Sequence, residues 1–298
     1  MKVAHHAALV GFAARLAPRV LPDVATFLSN STTRAALVAG VQAADYYDDV
    51  RIGGDSPAAR FVRWTQEHVS GGTSLQHFGV ERGYRLDADE WRPRIVDLTA
   101  SDSAVVDYRV DVLPMPASAA KDAPGRAVHG KPWAHVFFPP AAELSDFYAR
   151  VARLLRRAGL RERSLRCLAA AIHLLQDLCV PHHVIGTIGL GHSQFEAALL
   201  TTWRELESGS WPRAHLLSWR AVDPATLTAD YLDTLALPPT VRELAGRVAI
   251  ETRRLWVIPD HPTPIRSLTG GRAALARVAR SCCLASAATL RLVADFAG

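Results

Sequence analysis

Hydrophobic positions recur at helical spacing along most of this 298-residue chain. Apolar residues three and four positions apart form the inner face of an amphipathic helix, and the abundance of Ala, Leu and Arg also favours helix. The pattern predicts helices over Val3–Leu16, Thr33–Asp45, Phe61–His68, Glu143–Ala158, Arg161–Cys179, Thr226–Leu235, Pro239–Trp256 and Gly271–Phe296, with a further helix starting at His192. We therefore expect a mainly α fold, a multi-helix bundle forming one domain over residues 1–298.

One long segment departs from the helical pattern. Residues 79–140 are rich in Asp, Pro, Gly and Ser, and residues 105–113, VVDYRVDVL, begin to alternate as in a strand or hairpin. A long irregular insertion within a helical domain commonly forms a lid or a binding loop. The segment is therefore predicted to be an irregular insertion that includes a short hairpin, with a surface loop of no specific role as the alternative.

Composition narrows the classes of protein. The net charge is a mild +5, and 49% of the residues are hydrophobic. The longest basic run is interleaved with leucines, as on a solvated helix face, so no stable nucleic-acid partner is expected. The chain contains no run of 18 apolar residues, so a membrane-spanning helix is not expected. The N-terminal run MKVAHHAALVGFAARLAP contains two histidines and no clean cleavage box, so it is interpreted as a structural helix and a cytoplasmic location is favoured.

Metal-ligand chemistry is concentrated in one stretch, AAIHLLQDLCVPHHVIGTIGLGHSQFE. His173 and Asp177 are four residues apart, as are His192 and Glu196, and His183 lies between the two pairs beyond a proline. On a helix, residues i and i+4 share one face, so an imidazole and a carboxylate can bind the same ion. A single buried histidine is usually a core residue, but two such pairs among apolar residues favour a metal cluster.

At these residues the chain resembles a known family. HLLQDLCVPHH followed by GHSQFE is similar to the zinc-dependent phospholipase C family, which is related to the single-strand-specific zinc nucleases. The HSQFE form is closer to the phospholipase branch. The resemblance implies an all-helical fold with three zinc ions. It also implies an enzyme that hydrolyses a phosphoric ester, with a phospholipid as substrate and a peripheral contact with a membrane.

The resemblance also assigns residues near the N-terminus. His6 matches the family's N-terminal zinc-binding histidine, with His5 as the alternative. The family's N-terminal residue binds the same ion through its backbone, so the α-amino group of Met1 is the expected partner of His6. Cys179 is expected to be a small buried residue, with metal ligation as its alternative.

Further along, the element ADYYDD matches an Ala-Asp-Tyr element of the family. Asp45 is the expected metal ligand and catalytic base, with Asp48 and Asp49 as alternatives, and Tyr46 is expected to contact the substrate head group through its ring. The pair at His77 resembles a His-Phe pair of the family. These matches complete three implied sites: Asp45, His77, His173 and Asp177; His183, His192 and Glu196; and His6, Met1 and a bridging Asp177.

Several alternatives stay open at this point. His68 competes with His77, and His182 with its neighbour His183. Nitrogen and oxygen ligands without thiolates suit catalytic zinc, and manganese or iron at one site is compatible with the same residues. The alternative functions are a nuclease or 3′-nucleotidase, an enzyme acting on another small phosphate ester, and a non-catalytic helical scaffold stabilised by metal.

Overall fold

The computed structural model describes residues 3–44, 81–85, 90–96, 105–107, 136–138, 141–185, 223–236, 240–256 and 272–298. In chain order the helices are α1 Val3–Val20, α2 Pro22–Ser29, α3 Ser31–Ala43, α4 Ala141–Arg157, α5 Arg161–Asp177, α6 Pro181–Ile185, α7 Pro224–Thr234, α8 Val241–Trp256 and α9 Arg272–Ala297. The mainly α class predicted from the sequence is confirmed. Organisation as a single domain stays a prediction.

Helix α5 is the centre of the bundle. From Cys167 to Asp177 every residue is buried, because α5 packs against α3, α4 and α9. A helix buried on all sides must be apolar all round, and the run CLAAAIHLLQD meets this requirement except at three polar positions near its end. Those polar positions, His173, Gln176 and Asp177, therefore lie inside the core.

The neighbours of α5 are held close by small residues and by a tight turn. Gly40 in α3 lies against Ala169 of α5, where a Cβ atom on the glycine would come within 2.5 Å of the alanine Cβ. Gly159 has a φ of 75° in the turn that joins α4 to α5. Such a positive φ is readily adopted by glycine, which allows the two helices to pack as a hairpin.

The ends of several helices differ from the sequence-based prediction. Helix α1 continues past Leu16 through Pro18, because a proline in the last turn removes only one backbone hydrogen bond. Helix α2 was not predicted; its segment is short and starts with a proline at the first turn, which is a favourable start for a helix. Helix α5 ends two residues before the predicted Cys179. The predicted helices over residues 61–68 and after His192 lie outside the described residues.

Part of the predicted insertion forms an antiparallel sheet. Strands β1 Glu81–Arg85, β2 Glu90–Val96, β3 Val105–Asp107 and β4 Val136–Phe138 are arranged in the order β3-β2-β1-β4. A hairpin pairs β1 with β2. Of residues 105–113, where the sequence suggested a strand or hairpin, the structure describes 105–107, which form the edge strand β3. Within the described part of the chain, no helix is both long and apolar enough to span a membrane.

Candidate metal centre

The last turn of α5 supplies two of the predicted ligands. His173 and Asp177 stand one above the other, with 3.2 Å between His173 Nε2 and Asp177 Oδ2, and both side chains are fully buried. Helix α5 ends at Asp177 because Pro181 follows within one turn and starts α6. The spacing of four residues thus places an imidazole and a carboxylate together as the sequence predicted.

Helix α1 brings a third predicted ligand, His6, from the N-terminal part of the chain. His6 stacks on His173 with ring centroids 3.5 Å apart and an interplanar angle of 18°. Its Nε2 lies 3.4 Å from Asp177 Oδ1. One ligand atom from each of His6, His173 and Asp177 lies within 4.8 Å of the others. Two ligands about 2.1 Å from a tetrahedral zinc ion are about 3.4 Å apart, so both nitrogen–oxygen distances suit zinc ligands.

The remaining ring nitrogens are held by protein acceptors. His173 Nδ1 donates to the carbonyl oxygen of Val41 at 2.7 Å. His6 Nδ1 lies 2.9 Å from Gln176 Oε1. A hydrogen on Nδ1 leaves the lone pair of a neutral ring on Nε2, the atom that faces Asp177 in both histidines. Metal-binding histidines are commonly oriented in this way by a carbonyl or carboxylate behind them.

Electrostatics favour a cation between these groups. Burial is the main cause that lowers the pKa of His6 from 6.5 to about 3; His173 adds to the lowering and the Asp177 carboxylate opposes it. His6 is therefore neutral at neutral pH, and its Nε2 has no hydrogen-bond partner in the part of the chain that the structure describes. A divalent ion would accept this lone pair and offset the charge of the buried carboxylate.

His183 approaches the same carboxylate from α6. Its Nδ1 lies 3.7 Å from Asp177 Oδ1, and the residue is buried. Asp177 therefore directs Oδ1 towards His6 and His183, and Oδ2 towards His173. A carboxylate whose two oxygens face different imidazoles is suited to bridge two ions, which is the role that the family resemblance implied for Asp177.

Most of the other predicted site residues are not described by the structure. Met1, Asp45, Tyr46, His77, His192 and Glu196 lie outside the described residues, and their roles stay predictions. The alternatives His5 and His182 are both buried. Neither belongs to the His6, His173 and Asp177 group, which is the one candidate metal-binding group found among the described residues.

Sequence reasoning missed the groups behind the histidines. Gln176 was visible as a polar residue in an apolar helix, next to Asp177 and three positions after His173. Its amide oxygen, however, faces a ring from α1, and no local spacing predicts that. The carbonyl oxygen of Val41 carries no signal in the sequence at all.

Comparisons with known proteins give no match to a family model and none to the curated proteins. Among solved structures, the fold is similar to an alpha toxin from Clostridium absonum, with 16% identity, a TM-score of 0.49, and 99% of this chain and 64% of the toxin chain covered. It is also similar to the alpha-toxin of an avian strain of Clostridium perfringens, with 14% identity, a TM-score of 0.49, and 98% and 63% covered. The chain thus spans less than two thirds of the length of either toxin.

Proposed function

We propose that the protein is a zinc-dependent phosphoric-ester hydrolase that cleaves a phosphodiester, with a phospholipid as the substrate class to test first. The observation that carries the proposal is the arrangement of His6, His173 and Asp177. Two imidazoles, oriented from behind, direct their Nε2 atoms at one buried carboxylate at distances that suit zinc ligands. The ligand set contains no thiolate, as in many catalytic zinc sites.

The residues divide the work of the site. As the resemblance implies, one ion would be held by Asp45, His77, His173 and Asp177, and a second by His183, His192 and Glu196. A third would be held by His6, the α-amino group of Met1 and a bridging Asp177, whose two oxygens face His173 and His6. Bound zinc supplies a Lewis acid for the phosphoryl oxygens and lowers the pKa of a bound water to about 7. Asp45 would accept the proton of the attacking water, and Tyr46 would contact the head group.

A second candidate is favoured by one observation, the complete burial of the three ligands. His6, His173 and Asp177 each have 0% relative exposure. Structural zinc sites are closed, whereas catalytic ones keep a position open to substrate. The second candidate is therefore a helical protein in which the metal stabilises the fold and performs no chemistry.

The decisive variant is Asp177→Asn, which keeps the shape of the side chain and removes its charge. Asp233→Asn is the matched control, because Asp233 lies on an exposed face of α7. Both are made in protein with a free Met1, because a tag there would disturb the predicted N-terminal ligand. Zinc content is measured by elemental analysis, and hydrolysis is measured on phosphatidylcholine vesicles, single-stranded DNA and bis(p-nitrophenyl) phosphate.

We expect the wild-type protein to bind about three zinc ions and to hydrolyse phosphatidylcholine. Asp177→Asn should lower the rate of hydrolysis by at least about 100-fold, whereas Asp233→Asn should keep the wild-type rate. Preferential cleavage of the DNA would favour the nuclease alternative. Zinc bound in wild type and lost in Asp177→Asn, without turnover of any substrate, would favour the structural candidate. Folded wild-type protein that takes up no zinc on titration would overturn both.

A further inference from the structure

Three polar groups behind His6 form a continuous chain of hydrogen bonds across the core. His6 Nδ1 lies 2.9 Å from Gln176 Oε1. Gln176 Nε2 donates to Thr289 Oγ1 at 3.1 Å, and the Thr289 hydroxyl donates to the carbonyl oxygen of Ala285 at 2.8 Å. All of these side chains are fully buried. The chain joins α1, α5 and α9, and it ends at the nitrogen opposite to the one that faces Asp177.

The direction of each bond follows from the last acceptor. The Ala285 carbonyl oxygen can only accept, so the Thr289 hydroxyl must use its one hydrogen there. Thr289 Oγ1 can then only accept a hydrogen bond from Gln176, so the amide nitrogen of Gln176 faces it and the amide oxygen does not. The amide oxygen is therefore directed at His6, where it requires a hydrogen on Nδ1. His6 Nε2 is left with its lone pair 3.4 Å from Asp177 Oδ1.

An amide, unlike a backbone carbonyl, can turn over. His173 is held by the Val41 carbonyl oxygen, which offers only an acceptor. If the Gln176 amide were reversed, its nitrogen would donate to His6 Nδ1 and the ring hydrogen would move to Nε2. That hydrogen would point at Asp177 Oδ1 and form a bond in the metal-free protein. This relaxed arrangement would occupy the lone pair that an ion needs.

We propose that Gln176 and Thr289 are positioning residues that keep His6 in the tautomer that binds metal. Thr289 acts through Gln176: its hydroxyl, committed to Ala285, prevents reversal of the amide. The inference rests on the proposed zinc function for its purpose, although the tautomer itself is a property of the metal-free protein. Residues behind a metal-binding histidine typically change metal affinity by about 10- to 100-fold when they are removed.

The test uses variants of Thr289 that separate shape from hydrogen bonding. Thr289→Val has nearly the same shape and lacks the hydroxyl, whereas Thr289→Ser keeps the hydroxyl. Thr234→Val is the control, because the Thr234 hydroxyl makes the same type of bond, to the carbonyl oxygen of Asp230, on an exposed face of α7. The tautomer of His6 is measured in chelator-treated protein by ¹⁵N NMR, with the signal assigned by its loss in His6→Gln. Zinc affinity is measured by competition with a chelator.

We expect the hydrogen to lie on His6 Nδ1 in the wild-type protein. The Thr289→Ser and Thr234→Val variants should keep that tautomer and the zinc affinity of wild type. In Thr289→Val we expect the hydrogen to move in part to Nε2 and zinc to bind about tenfold more weakly. Adding Gln176→Glu to Thr289→Val should restore the Nδ1 tautomer, because a carboxylate presents an oxygen to His6 in either orientation. If Thr289→Val does not fold, Thr289→Ala removes the same hydroxyl with a smaller side chain.

The outcomes separate this inference from the proposed function. If wild type binds zinc but the Thr289 variants keep both the tautomer and the affinity of wild type, the positioning role is wrong. If wild type binds no zinc while the hydroxyl-free variants still shift the tautomer, the hydrogen-bond chain acts as argued and the proposed function fails. A loss of affinity without a change of tautomer would overturn the inference, because it would show that Thr289 acts only through packing.

Discussion

The contact between Gly40 and Ala169 links the packing of α3 on α5 to the metal centre. A Cβ atom at Gly40 would lie 2.5 Å from Ala169 Cβ and 3.5 Å from Arg166 Cα. The next residue, Val41, holds His173 through its carbonyl oxygen at 2.7 Å. Any separation of the two helices at this point would therefore stretch the hydrogen bond that orients His173. Gly40→Ala is the smallest change that tests this link.

The expected loss of stability follows from two opposing terms. Two methyl carbons pack at about 4 Å, so the helices would have to move apart by more than about 1 Å. Overpacking of this kind costs about 1–3 kcal/mol, and the upper part of the range applies because Ala169 and the helix backbone cannot turn aside. Replacing glycine by alanine within a helix returns about 1 kcal/mol. We expect Gly40→Ala to lower the free energy of unfolding by about 2 kcal/mol.

The assay is urea unfolding of metal-free protein, combined with zinc affinity by chelator competition. Ala169→Gly serves as the matched partner, because the double variant moves one methyl group from α5 to α3. The helix-propensity terms then cancel, and we expect the double variant to recover most of the stability and of the zinc affinity lost in Gly40→Ala. Ala169→Gly alone should cost about 1 kcal/mol in helix propensity, so the coupling energy of this cycle should be about 3 kcal/mol, the size of the clash itself. If Gly40→Ala were as stable as wild type or more stable, the close helix contact would be refuted.

Two smaller predictions concern residues away from the metal centre. Asp223→Ala should cost about 1 kcal/mol in urea unfolding, because Asp223 caps α7 by accepting from the Thr226 backbone N–H. A hydrogen bond from Arg19 holds the pKa of Asp223 below its ordinary value. The difference in unfolding free energy between wild type and Asp223→Ala should therefore shrink as the pH falls through that lowered pKa. An unchanged difference at low pH would contradict this. The buried thiols should not react with Ellman's reagent at pH 8 before the protein unfolds. Burial raises the pKa of Cys167 to about 11 and that of Cys179 well above its ordinary value. Rapid labelling of the native protein would contradict this reasoning.

The parts of the fold that the sequence predicted are those with a local pattern. Helix α5 was predicted over Arg161–Cys179 and is observed over Arg161–Asp177. The agreement is close because a long apolar run that is followed by a proline is a strong local signal. Helix α2 was missed because its eight residues include only about two turns of pattern. Pairing of β1 with β2 depends on register between separate segments, which an alternating pattern does not define.

The same division applies to the metal centre. The pair His173 and Asp177 was predicted from a spacing of four residues, which a helix converts directly into proximity. His6 came only from the family resemblance, because nothing in its own helix indicates a ring 167 positions further along the chain. Thr289 lies in a run of small residues that is typical of helix packing, and its bond to Gln176 depends on the positions of α5 and α9 in the bundle.

The position of Asp177 explains why a cation belongs at this site. Two conditions destabilise a charged carboxylate. One is a position at the C-terminal end of a helix, where the backbone carbonyls carry partial negative charge, and the other is burial away from water. Asp177 combines both conditions, since it is the last residue of α5 and is fully buried. His6 does not offset this charge by protonation, because burial keeps its pKa near 3. Divalent ions bound by the lone pairs of His6 and His173 would offset both penalties. The buried groups that destabilise the metal-free core are therefore the ones that favour metal binding.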